Sequence, residues 1–113
     1  MASRAGNAPL HVELVTPVGT TQADATAIPS NSSLALVVSA GDNTAGIRLP
    51  KAVRGKAFFI KNSGGGNLKV YPAVGDGINA IAPDTELSVA TLKSFVIIAK
   101  DSTTWYTIPL LPS

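Results

Sequence analysis

No cysteine occurs in the 113 residues, so neither a disulfide framework nor a thiolate metal site is open to this chain. There is one histidine, His11, and in "LHVELV" it alternates with Val12 and Leu14. A residue in that pattern points outward from a strand. A zinc or iron centre built on one imidazole and scattered carboxylates is not expected. Aromatic residues are only 5% and charged residues 14%, against about 25% charge in an ordinary soluble domain. A surface so short of charge is poorly defended against association, which implies that partners cover part of it. No apolar run nears the ~20 residues of a membrane-spanning helix. "MASRAGNAP" has no apolar core of the kind a secretory signal carries. A membrane partner is therefore not expected, and synthesis and assembly in the cytoplasm are.

What is present is Val, Ile, Leu and Ala, within 45% hydrophobic residues, punctuated by 10 glycines and 8 prolines. The length implies one domain over residues 1–113, able to bury roughly 65% of its unfolded surface. Residues 1–9 are small and polar and read as an N-terminal arm, residues 10–108 as the β domain, and residues 109–113 as an extended tail. "LHVELV" alternates as a half-buried strand. Residues 16–33 carry no helical stripe and read as a long loop with at most one irregular strand. From Leu34 the chain is regular: "LALVVSA", "AGIRLP", "KAFFIKN", "NLKVYP", "GDGINAI", "TELSVA", "KSFVIIAK" and "TWYTI". Short strands about ten residues apart, with turn residues between nearly all of them, predict an all-β fold. The expected form is a small antiparallel β-sandwich or barrel, jelly-roll-like, with extended terminal arms.

Gly64, Gly65 and Gly66 raise the question of a phosphate cradle. Such a loop needs a helix starting directly after it, whose unpaired N–H groups meet the anion, and usually a Gly-Lys-Ser/Thr or G-x-G-x-x-G pattern. Here "NLKVYP" follows, with period two and a closing proline. The glycines are therefore expected to form a hairpin between two strands, with positive φ angles.

Little else points to catalysis. No Gly-x-Ser-x-Gly elbow accompanies His11. Asp42, Asp76 and Asp84 sit beside Gly, Asn or Pro, where aspartate bonds its own backbone in turns. Asp84 and Glu86 are a conceivable carboxylate pair on one strand face, and "GDGIN" a conceivable calcium loop; a plain turn is the simpler reading of each. No cofactor is expected, and the chain is not expected to be an enzyme.

Three features concern partners. Arg48, Lys51, Arg54, Lys56 and Lys61 follow one another without an intervening acid. They fit a nucleic-acid site with Phe58 and Phe59 as stacking platforms, a lysine-guarded edge, or a patch for an acidic protein surface. Adjacent Phe58 and Phe59 face opposite sides of a strand, which weakens stacking, and nucleic acid is not the expected partner. Next, "LALVV", "AFFI" and "FVIIA" are apolar on both faces. A covering loop would explain that, as would a homo-oligomer burying the outer sheet face against its copy. Last, "IPLLPS" sets Ile108, Leu110 and Leu111 around two prolines, an extended segment able to reach a neighbour.

The middle and end of the chain resemble a module of tailed-bacteriophage virion proteins. The features are Leu49-Pro50, Gly55, Lys61-Asn62, Leu68, Val70-Tyr71-Pro72, Gly75-Asp76, Ile78-Asn79, Ser88-Val89 and Trp105, with "TQADATAI" similar to its lead-in. They cover about residues 34 to 108. Such modules occur in capsid decoration or cement proteins, head fibres and tail fibres. The resemblance implies a structural decoration protein on the outer capsid surface of the virion, a homotrimer binding the major capsid protein. Arg48, Lys51, Arg54, Lys56, Ile108, Leu110 and Leu111 are the expected partner-binding residues. The lead-in is short for the family, so the arms would have to anchor. The alternative is a receptor- or glycan-binding fibre module, with Trp105, Tyr106 and Tyr71 stacking on sugars.

Overall fold

The computed structural model describes residues 12–28, 34–38, 40–41 and 44–110. His11, the arm at 1–9, the Asp42-Asn43 turn and Leu111 lie outside the described residues. Ten strands follow in chain order: β1 (Val12–Val15), β2 (Thr26–Ala27), β3 (Leu34–Val38), β4 (Gly46–Arg48), β5 (Ala57–Asn62), β6 (Leu68–Tyr71), β7 (Gly77–Ile78), β8 (Leu87–Val89), β9 (Ser94–Ala99) and β10 (Thr104–Ile108). The described residues contain no helix, so the chain is mostly β, as its period-two stretches predict.

The strands form a six-stranded sheet, β1-β3-β5-β9-β10-β7, and a four-stranded sheet, β2-β4-β6-β8. From β1 to β9 each strand passes to the sheet its predecessor does not occupy, and only β9 and β10 follow each other within one sheet. The antiparallel arrangement expected from the turns is thereby corrected. β1, β3 and β5 run parallel, as do β2, β4 and β6. Strands β5, β9 and β10 are joined antiparallel, β6 pairs β8 antiparallel, and β7 lies parallel to β10. The reason is geometric. From β1 to β6 a chain that crosses to the other sheet and returns has turned twice, so strands two apart there point the same way, whereas β8 returns antiparallel to β6. Gly, Pro and Asn mark where the chain turns; they do not say which strand it will pair with.

The glycine triplet shows this directly. β5 and β6 lie in different sheets, so residues 63–67 are a crossing, and the hairpin expectation fails. The glycines of positive φ among the described residues are Gly19, Gly55 and Gly75, none in the triplet. Gly64 is required by space instead, because a Cβ there would collide with the backbone oxygen and nitrogen of Ala40. Buried Asn62 clamps the crossing. Its Nδ2 donates to the carbonyls of Gly66 (2.9 Å) and Val89 (3.1 Å), and its Oδ1 accepts from the Gly64 N–H (3.2 Å).

Side chains from both sheets meet in one hydrophobic cluster. From the six-stranded sheet come Phe58, Ile60, Phe95, Ile97 and Trp105, and from the four-stranded sheet Ile47, Leu68, Val70, Leu87 and Val89. Each such side chain contributes roughly 1.5–3 kcal/mol of burial. Phe58 and Trp105 pack at its centre with ring centroids 5.9 Å apart. The segment before β3 is pinned onto the four-stranded sheet. Arg48 Nη1 donates to the carbonyls of Gln22 (2.8 Å) and Ala23 (3.0 Å), and the Tyr71 hydroxyl to that of Thr20 (2.9 Å). Within it "TQADATA" forms turns and the two-residue β2.

Candidate functional site

The polar constellations of the chain hold loops together. Asp76 is fully buried between β6 and β7. Its Oδ2 accepts the Ala52 N–H at 2.9 Å, and its Oδ1 accepts from Lys51 Nζ. The side chain of Lys51 is otherwise well exposed. Asp84 sits in the turn before β8 with φ 64°, not on a strand face. Its Oδ1 accepts from the Gly75 N–H (2.7 Å) and Gln22 Nε2 (3.1 Å), and these donors hold its carboxyl below the ordinary range, the Gly75 N–H foremost. Asp24 closes its turn by accepting from Thr21 Oγ1 (2.7 Å), Thr21 N–H (2.8 Å) and Thr20 N–H (3.0 Å), and its pKa is likewise lowered, the Thr21 side chain contributing most. Asp84 and Glu86 both precede β8 and so do not share a strand face, and the carboxylate of "GDGIN" is taken up by Lys51 and Ala52. No group of three or more His, Asp or Glu able to hold a metal occurs among the described residues.

The expected basic patch is divided by the structure. Arg48 is half-buried and bonded to the backbone of residues 22 and 23, and Lys51 is paired with Asp76. Arg54 is exposed in the turn before β5. Lys56 is half-buried and has an interaction of its own. Of the four, Arg48 and Lys51 are engaged within the fold. The sugar-stacking trio is divided as well. Trp105 is wholly buried, its Nε1 without a hydrogen-bond partner, and Tyr71 is buried beneath the 16–28 segment. Only Tyr106 is exposed, with Lys100 Nζ 5.2 Å over its ring.

What the structure does bring together is apolar. On β5, Phe58 and Ile60 enter the core while Phe59 turns outward; on β9, Phe95 and Ile97 enter while Val96 and Ile98 turn outward; on β10, Trp105 enters while Tyr106 and Ile108 turn outward. Register puts Phe59 beside Val96 and Val96 beside Ile108, with Ala57, Ile98 and Tyr106 in the adjoining row. Phe59 is 47% exposed, Tyr106 45%, Ile108 63% and Leu110, just past β10, 69%. At the β10 side a groove of about 350 Å³ opens between Ile98, Tyr106, Ile108, Leu110, Asn79 and Ala80. Asn79, at φ 53°, forms its wall. Its Nδ2 donates to Thr107 Oγ1 (2.9 Å) and its Oδ1 accepts the Thr107 N–H (3.0 Å).

Of the expected partner-binding residues, Ile108 and Leu110 belong to this face. Phe59, Val96, Ile98 and Tyr106 were not assigned to it. The signal was present in "AFFI" and "FVIIA", which fail to alternate; the missing knowledge was that β5, β9 and β10 are neighbours. No family model matches the chain, and neither a curated protein nor a solved structure does.

Proposed function

We propose that this chain is a structural virion protein: a capsid decoration, or cement, protein of the tailed-bacteriophage kind. In this reading it is a small two-sheet β-sandwich that binds the outer capsid surface as a homo-oligomer, a trimer by the resemblance, and stabilises the shell through contacts with the major capsid protein. The observation that carries the reading is the bare apolar face over β5, β9 and β10 on a chain with 14% charged residues. Contiguous exposed apolar surface of this kind marks an interaction site, and the carboxylates with well-defined partners are engaged in holding turns. Arg54, exposed in the turn before β5, offers a cation for an acidic capsid surface.

Co-sedimentation with tailed-phage head shells tests the reading, read together with the temperature at which the shells open. Binding that raises the opening temperature is the expected result; shells that neither retain the chain nor gain stability refute it. The alternative, a glycan- or receptor-binding fibre module, draws on the groove beside Tyr106, whose volume is at the low end for a small-molecule site. With Trp105 and Tyr71 buried and one side of Tyr106 facing Lys100, the aromatic surface for a sugar is small. A glycan array with micromolar binding abolished by Tyr106→Ala would favour that alternative.

A further inference from the structure

We infer, resting on the self-association in the reading above but not on its capsid partner, that the outward face of the six-stranded sheet is where copies of this chain meet. Register carries one row across five strands: Val12 on β1, the Ala35 position on β3, Phe59 on β5, Val96 on β9 and Ile108 on β10. At ~4.8 Å between strands this row spans about 19 Å. Val12 and Leu14 on β1 are 55% and 80% exposed, so the apolar surface reaches both sides of the sheet.

Strand direction and exposed area both call for a cover on this face. β1, β3 and β5 run parallel, and parallel strands normally have both faces buried, which is why they read as continuous apolar runs. Helices usually supply the cover, and the described residues contain none. The core covers one face only. From the exposures of Val12, Leu14, Phe59, Tyr106, Ile108 and Leu110, the open apolar surface is on the order of 800 Å², one partner's share of a standard interface and more than the largest patch on a typical monomer.

A peptide or small ligand would leave most of such a face wet. Its charge is confined to its ends, with Lys61 at one and Lys100, 3.5 Å from Asp101, at the other. An apolar middle without charge is the composition of interfaces between identical subunits, which are more apolar than those between proteins that also exist apart. A second copy brings the same apolar middle, and two such faces pack about a two-fold axis, which gives pairs of copies where the resemblance implies a trimer.

Light scattering on the eluting full-length chain tests this, with Phe59→Lys and Ile108→Lys as disrupting variants and Val18→Lys, exposed beside β2, as control. The wild type and Val18→Lys are expected to be oligomers. Phe59→Lys and Ile108→Lys are expected to dissociate at least ~30-fold more readily, with unchanged β-sheet circular dichroism. Because the chain has no cysteine, Phe59→Cys supplies a single thiol that a bis-maleimide should link to a second copy, while Val18→Cys should stay unlinked; this holds the test if a lysine variant fails to fold. A wild-type oligomer that ignores head shells supports the inference while removing the capsid role. A monomeric wild type that still binds shells overturns the inference and leaves the capsid role standing, as does an oligomer whose mass and cross-linking are indifferent to positions 59 and 108.

Discussion

Asn62, Gly64 and Asp76 show how single residues secure the crossings between sheets. Gly64→Ala forces a methyl into the Ala40 backbone and should lower stability by about 1–3 kcal/mol. Gly65→Ala, with nothing near its Cβ position, should stay within about 0.5 kcal/mol; urea midpoints of the two variants make the comparison. Asp76→Ala strands the buried Ala52 N–H and should lose about 1–3 kcal/mol. The turn carboxylates set the acid side of stability. Asp101 is lowered, first by the Thr103 N–H, and Asp24 and Asp84 are lowered as described above. A carboxyl lower in the folded chain favours folding above its unfolded value of 3.8, and that contribution disappears as pH falls through the folded value. Urea midpoints should therefore drop between pH 5 and pH 3, and Asp84→Asn should flatten the drop. On the alkaline side Tyr71 has a raised pKa, chiefly from burial, so its contribution is complete below its ordinary value near 10 and is lost as pH rises past it.

Strands differ in how firmly they are held. β5 lies between β3 and β9 and sends Phe58 and Ile60 into the core, whereas β2 and β7 are two residues long at sheet edges. Hydrogen exchange should find the amides of β5 and β9 slowest, and those of β2 and β7 fastest; equal rates would contradict this order. Element by element, much of this was readable in the sequence. "NLKVYP" and "TWYTI" became β6 and β10, and Phe58 and Phe59 took opposite faces, because period two belongs to a strand alone; "KSFVIIAK" became β9 as a short apolar run between turn residues. Sheet membership was not readable. The glycines after Asn62 send the chain across to the second sheet, and the same residues would serve a hairpin equally well. The candidate face suffered from this in turn, since Phe59, Val96 and Ile108 become a row only when β5, β9 and β10 stand side by side. Of the residues on which the resemblance rests, Leu49, Leu68, Val70, Asp76, Ile78 and Trp105 are all buried. They encode how the chain folds, which leaves its role to residues on the surface.

At the scale of the whole molecule, one face of the six-stranded sheet is finished by the core and the other is not. The second face is apolar because β5, β9 and β10 carry Phe59, Val96, Ile98, Tyr106 and Ile108 on it as well as apolar residues toward the core, and in water that surface invites association. In the proposed reading, self-association through this face and attachment to a shell are separable, the first resting on Phe59, Tyr106 and Ile108, the second on groups such as Arg54. Raising salt should therefore weaken attachment to a shell, where charge contributes, far more than association between copies. Hydroxyl-radical footprinting tests the central claim most directly, because it reads the exposure of named side chains in the assembled state. The account predicts that Phe59 and Tyr106 are shielded in the concentrated protein and become reactive on dilution, while exposed Val18 reacts equally in both. Phe59 and Tyr106 reacting at the same rate at every concentration would contradict it.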